Sequence, residues 1–450
     1  MLFEFNSLFI LHFTFLILGT IAVMSFKRVY FSIFLAIALT SACAPMRKAT
    51  RETPNLPIAI TTPTSIPTPT VVPEAMETSN QPITLAFTGD IMMGGSADHK
   101  LKTEGPDSFF TFTRSLIKYA DLAMGNLEGP LGTGGTKFPH KKYNFLVDPA
   151  AAIGLAHAGF KLLTMANNHT MDFGVEALQS TFAALDAQGL KHAGAGMNET
   201  EAREPAMFEI KGHRVAVLAY SLTEPTEYWA TSTRAGCASA SGPDMREDIA
   251  KARAKGADIV VVCCHWGQEK HTRLRGYQPT LAHLAIDAGA DAVVCHHPHI
   301  WQTLETYHGK PIAYAIGNFC FGALTSISQS GILYLTFGEK GVWLGGKIFP
   351  LNVRNGQVNF AARPMYERQA RAFYAYLHKL SKKADLTMEG SNILWAAPKE
   401  NLDIAAETKP TPTAVASNTP TIQPTPLVVP TPTMDPSGNP EGSVPGIGKP

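Results

Sequence analysis

The sequence predicts an α/β fold with buried strands, and three observations carry that reading. A unit recurs: a helix-like stretch, a small turn, a short apolar run, then a polar cluster. The apolar runs are short and rich in β-branched residues, as strands covered on both faces are. Past "PIAYAIGNF" the repeat gives way to runs separated by Gly-containing turns.

In chain order, "ITLAFT" leads into Gly89-Asp90. "SFFTFTRSLIKYA" reads as helix, and "DLAM" runs into Gly125-Asn126-Leu127-Glu128. "DPAAAIGLAHAGF" and "KLLTM" precede Asn167-Asn168-His169. "MREDIAKARAKGA" and "DIVVVCC" precede His265-Trp266-Gly267, and "PTLAHLAIDAGA" and "DAVVC" precede His296-His297-Pro298-His299. "GILYLTF", "GVWLGGKIFPLNV" and "QVNFAARPM" then predict antiparallel hairpins, and "YERQARAFYAYLHKLSKKA" an amphipathic helix closing the domain. That domain is expected over 82–397.

The ends have another character. Residues 1–43 hold two apolar runs with Lys27 and Arg28 between them. If Met24 is the true start, "MSFKR" is a basic n-region, "VYFSIFLAIAL" an apolar h-region, and "LTSAC" a cleavage site before Cys43. This resembles a bacterial lipoprotein signal, with Cys43 lipidated; an uncleaved anchor is the alternative. Either places the bulk of the chain at the extracytoplasmic face of the membrane. Residues 44–81 and 398–450 are rich in Pro and Thr, which disfavours helix and inner strand, so both are expected to be disordered tethers.

Lys and Arg number 38 against 37 Asp and Glu, for a net charge of +1. No basic cluster runs along the chain, so a nucleic-acid partner is not expected. Beyond Cys43, Cys237, Cys263, Cys264, Cys295 and Cys320 are odd in number and irregularly spaced, which is no disulfide framework. They read as small hydrophobes.

In open α/β sheets ligands gather at the carboxyl ends of strands. Five such ends here carry Asp90, Glu128, Asn168, His169, His265, His297 and His299. Carboxylate, amide and imidazole donors suit divalent Mn, Fe or Zn, and two ions about 3.5–4 Å apart can activate water for an in-line displacement. Each residue alone has a plainer reading. Asp90 could form a turn, Glu128 lie on the surface, Asn168 brace a turn and His265 pack against Trp266. Three imidazoles within four residues, His296, His297 and His299, have no cheap packing explanation. Asp172 is either a helix cap or a carboxylate orienting a ligand. Asn318, in "AIGNF", either reaches the site or ends a strand, and His192 precedes a glycine-rich turn that could admit substrate.

The stretches "FTGDIMMGG", "GNLEGPL", "ANNHTMDFG", "HWGQE", "HHPHIWQ" and "IGNFCFG" resemble, in this order, the CapA-type poly-γ-glutamate capsule-synthesis proteins of the calcineurin-like metallophosphoesterase superfamily. The resemblance implies a four-layer α/β/β/α sandwich. It implies two metal ions on Asp90, Glu128, Asn168, His265, His297 and His299, and His169 as proton donor. Asn126, Asn167, Asp172, His296 and Asn318 would support these or touch substrate. It also implies an anionic polymer and capsule-synthesis membrane proteins as partners. Two departures stand out: Met92 replaces the imidazole of the superfamily's Asp-x-His, and Glu128 replaces an aspartate. The functions left open are a membrane-anchored hydrolase of a capsular polymer, a non-enzymatic polymer-binding component of a capsule assembly machine, and a phosphoesterase unrelated to capsule.

Overall fold

The computed structural model describes residues 81–239, 241–323 and 327–407. The anchor segment, Cys43, the linker before Gln81 and the tail from Thr408 lie outside the described residues. No helix among the described residues is long and apolar enough to cross a membrane.

Among the described residues, ten strands make one sheet and six make another. The larger runs Leu386–Glu389, Asn392–Trp395, Trp343–Asn352, Gln329–Phe337, Ile83–Met92, Leu122–Leu127, Leu162–Thr164, Lys191–Ala193, with Asn318–Phe321 pairing Ile83–Met92 and Arg363–Pro364 pairing Trp343–Asn352. The smaller runs Leu304–Tyr307, Lys310–Ala313, Ala292–Val294, Ile259–His265, His213–Ser221, Ala206–Ile210. Strands of the repeating unit pair in parallel, and the hairpin strands pair antiparallel.

The alternation of side chains in the smaller sheet sets the layers. Val215, Val217, Ile259, Val261 and Val294 share one core with Leu85, Phe87, Leu122 and Leu163 of the larger sheet. Their neighbours Ala216, Leu218, Val260, Val262 and Val293 pack with Met245, Ile249, Ala282 and Ile286, from helices Gly242–Ala254 and Tyr277–Asp287. Helices Ala151–Ala158 and Gly174–Asp186 contribute Leu155, Leu178 and Leu185 to the core of the larger sheet. The arrangement is an α/β/β/α sandwich, as the resemblance implied. Each buried Val, Leu or Ile contributes roughly 1.5–3 kcal/mol to holding the layers together.

Beyond Phe337 the expectation needs correction. "QVNFAARPM" is not a hairpin strand: Asn355–Val358 is a helical turn and only Arg363–Pro364 pairs. The helix Glu367–Leu380 does not close the domain, because the hairpin Leu386–Glu389/Asn392–Trp395 adds to the sheet edge after it. Lys399–Glu407, assigned to the tail, is a helix. It contains no proline, and Asn401 donates to the carbonyls of Gly309 and Trp343 at 2.8 and 2.9 Å.

Candidate metal centre

Asp90 lies two residues before the end of Ile83–Met92, where the pairing slips on both sides of the strand. Gly89 makes the slip possible: a Cβ there would stand 2.0 Å from the Gly317 carbonyl oxygen. Such a bulge re-aims the next side chain, here the fully buried Asp90 carboxylate. Asn126 and Glu128 follow from the neighbouring strand, and Asn167, Asn168 and His169 from the turn after Leu162–Thr164. His265 ends its strand in the smaller sheet and bridges to His296.

These residues meet. One ligand atom from each of Asp90, Glu128 and His265 lies within 4.8 Å of the others, and all three side chains are buried. His265 Nε2 stands 3.0 Å from Asn168 Oδ1 and 3.1 Å from His297 Nδ1. His299 Nδ1 reaches Asp90 Oδ2 at 3.2 Å and Asn318 Oδ1 at 2.9 Å, and its Nε2 is 3.8 Å from Glu128 Oε1. Asn126 joins the groups: its Nδ2 donates to Asp90 Oδ1 at 2.9 Å and lies 3.3 Å from His265 Nδ1. Asn167 supports Asn126, donating to its Oδ1 at 3.1 Å and to the Leu127 carbonyl at 2.8 Å.

The donor set fits a divalent cation on one decisive detail. Glu128 Oε1 is buried with no hydrogen-bond partner. A buried carboxylate oxygen without a hydrogen bond carries a desolvation cost that a cation would offset. His265 Nε2 and His297 Nδ1 face each other at 3.1 Å, one giving a proton that the other accepts, so two further imidazole donors stand beside that oxygen.

Proton affinities follow the neighbours. Burial pushes the Glu128 carboxyl well above its usual range, and the Asp90 charge adds to this. Burial would raise Asp90 too, but the His299 hydrogen bond and charge help bring it below its ordinary value. Burial, then the neighbouring imidazoles, hold His265 well below the usual range and bring His297 to about 3. His299 goes the other way, to about 9, because the Glu128 and Asp90 carboxylates outweigh its burial.

His169 stands at the edge of this group, its Nε2 3.9 Å from Glu128 Oε1. Its Nδ1 donates to Asp172 Oδ2 at 2.6 Å, which leaves Nε2 facing the site. Asp172 thus orients His169; its other contacts are the Phe145 amide at 2.7 Å, the Tyr228 hydroxyl at 2.8 Å and the Lys141 ammonium. Burial lowers the His169 proton affinity against the pull of Asp172. Beside His169 and His299 opens a cleft of about 430 Å³, walled by Tyr143, Phe145 and Phe321 with Glu269 and Lys270 at one side.

Other residues fall further out. His296 turns away, bonding the Thr88 carbonyl at 3.1 Å through Nε2. His192 stacks on Phe182 at 4.3 Å, lining a separate cavity. Met92 is buried, and the five cysteines are buried and free. Sequence reasoning missed Lys141, Phe145 and Tyr228, which sit in segments with neither helical nor strand periodicity. The one available signal was the basic run "HKKY" upstream of the Asn-Asn-His turn.

The profile described as "Bacterial capsule synthesis protein PGA_cap" matches residues 84–323, a span that takes in every ligand candidate above. The chain belongs to this family. The PGA biosynthesis protein CapA of Bacillus subtilis (strain 168) is 32% identical over 251 residues, covering 55% of this chain and 66% of that protein. The capsule biosynthesis protein CapA of Bacillus anthracis is 31% identical over 284 residues, covering 62% and 69%. The chain therefore spans about two thirds of the length of these PGA_cap relatives. Among solved structures, the calcineurin-like phosphoesterase YfkN from Bacillus subtilis overlaps with a TM-score of 0.37 at 17% identity, covering 57% of this chain and 85% of that one. An overlap that partial carries no argument for chemistry.

Proposed function

We propose that this PGA_cap protein is a metal-dependent hydrolase held at the extracytoplasmic face of the bacterial cell membrane, working in the biosynthesis or processing of a poly-γ-glutamate-type capsular polymer. The observation that carries the hydrolase reading is the buried Glu128 Oε1, without a hydrogen bond, among Asp90, His265 and His299. Asp90, Glu128, Asn168, His265, His297 and His299 would hold two divalent cations, Mn, Fe or Zn. Bound there, the cations supply Lewis acidity beside the cleft.

The chain's own groups supply the rest. His169, with Nδ1 committed to Asp172, is able to give and take a proton at Nε2, so it serves as acid toward a leaving group in the cleft. Asn126 keeps the Asp90 and His265 side chains in register. Phe145, stacked on His169 with ring centres 4.2 Å apart, covers one face of the imidazole from water. The names of the Bacillus relatives support the capsule context, and Cys43 supports the anchor.

The test loads the purified chain with Mn²⁺, Fe²⁺ or Zn²⁺ and measures hydrolysis of bis(4-nitrophenyl) phosphate and poly-γ-glutamate. In His169→Ala, turnover falls by roughly 10²–10⁴-fold with bound metal unchanged. A wild-type chain that takes up no divalent ion overturns the reading, and one that binds polymer without turnover becomes an assembly component. Palmitate incorporation lost in Cys43→Ala checks the anchor.

A further inference from the structure

We propose that Lys141 is a positioning residue for the site: its largely buried ammonium ties the Asn168 carbonyl to the Asp172 carboxylate, and so fixes the amide that would face the cations and the imidazole that would handle the proton. The proposal rests on the hydrolase reading for its kinetic consequence, but its structural content stands apart from it.

Lys141 lies in a segment without helix or strand, between the strand Leu122–Leu127 and the helix Ala151–Ala158, yet its side chain is only 14% exposed. Burying an ammonium is costly unless it is paired and hydrogen-bonded. Lys141 is both. Its Nζ donates to the main-chain oxygen of Asn168 and to Asp172 Oδ1, and stands 3.1 Å from His169 Nδ1. It also sits 5.0 Å from the ring centre of Tyr228, whose hydroxyl donates to the same Asp172 Oδ1.

An ammonium has three donors and no acceptor. Here two of them go to one turn, to the carbonyl of residue 168 and the carboxylate of residue 172, with the ring of residue 169 between. His169 Nδ1 cannot receive a proton from Lys141 while giving its own to Asp172. The 2.6 Å contact settles the tautomer in favour of donation to Asp172, and Lys141 then neutralises the carboxylate that receives it. With Phe145 N and Tyr228 OH, Asp172 has both oxygens committed and no freedom to rotate away from His169.

Asn168 gains from the same contact. Its Oδ1 faces His265 Nε2 at 3.0 Å, while its carbonyl is held by Lys141. Outer partners of this kind orient the groups that face a metal, and their loss typically costs 10–100-fold in metal affinity or activity.

The experiment uses the full chain with ¹⁵N-labelled histidine, as wild type and as Lys141→Met, which keeps the apolar stem and removes the charge. Two quantities are read. The first is the His169 Nδ1–H resonance, assigned by its disappearance in His169→Gln. The second is kcat and KM on bis(4-nitrophenyl) phosphate with Mn²⁺ bound. We expect Lys141→Met to shift or broaden the resonance away, and to lower kcat by roughly 10–100-fold with KM moved by less than about twofold. Lys141→Arg, which restores charge and donors, brings the resonance back. A resonance and kcat unchanged in Lys141→Met overturn the proposal, as does a kcat loss that merely tracks lost folding. Should the Met variant not fold, Lys141→Gln replaces it, with the same two readouts. If the wild-type chain turns nothing over, the hydrolase reading falls, and the resonance alone decides the role of Lys141.

Discussion

His297 and His299 sit two residues apart on one loop, both in left-handed backbone, at φ 97° and 58°. Their proton affinities diverge: His297 falls to about 3 and His299 rises to about 9. The difference lies in what each faces. His297 looks onto His265, the imidazole-rich half, where burial and the His299 charge outweigh the pull of Asp90. His299 looks onto Asp90, Glu128 and Asn318, a half dense in negative charge. A cation approaching the first half meets neutral lone pairs. On the second it must displace a proton, so binding there grows tighter as pH rises. Neighbouring groups across the fold, and not sequence position, decide which ligand arrives ready.

That contrast can be broken or sharpened by substitution. The largest effect is expected from Asp90→Asn, which removes charge from the carboxylate half. Divalent-metal affinity should drop by more than the roughly 10–100-fold typical of outer contacts, read by competition with a chelator. Equal affinity in the variant would show the two halves to be independent of that charge. Next comes Asn126→Ala, which removes the group joining the halves. It should cost about 1–3 kcal/mol of unfolding free energy through the partners left unpaired, measured by denaturant titration.

The two imidazoles should then give opposite pH signatures in chelator-treated protein. His299 has a raised folded value, so its contribution is full below its ordinary 6.5 and is lost as pH rises through about 9. His297 is depressed, so stability is lost as pH falls from 6.5 toward about 3. Each tenfold in proton affinity is worth about 1.4 kcal/mol at most. Melting curves of His299→Gln should be flatter above neutrality than the wild type, and those of His297→Gln flatter below it. The reverse pattern would refute the division into halves. The smallest effect on metal is expected from Tyr143→Ala at the cleft wall, outside both halves. KM for the phosphodiester should rise while metal affinity stays put.

Much of this was legible in the chain. Strand-like runs ending in Asp90, Glu128, His169, His265 and His299 placed the site at converging sheet edges, because buried parallel strands announce themselves by apolar runs and their ends by polar residues. The Lys141 segment carried no such period. Its partners lie 27 to 31 residues away and are set by tertiary folding alone. The last hairpin was missed for a related reason. "LTME" and "NILW" are four residues each, too short for a pattern, and are held by the edge of Trp343–Asn352.

The left-handed residues flanking Pro298 have one more effect. A non-glycine residue held in that conformation costs of order 1–3 kcal/mol, so this loop is cocked like a spring and kept so by its surroundings, including the Lys270 amide that clasps the Pro298 carbonyl at 2.8 Å. Because the backbone is already bent, the loop would not have to bend further to present its imidazoles to an ion. Without an ion to hold it, this strained loop is where the native state should first breathe.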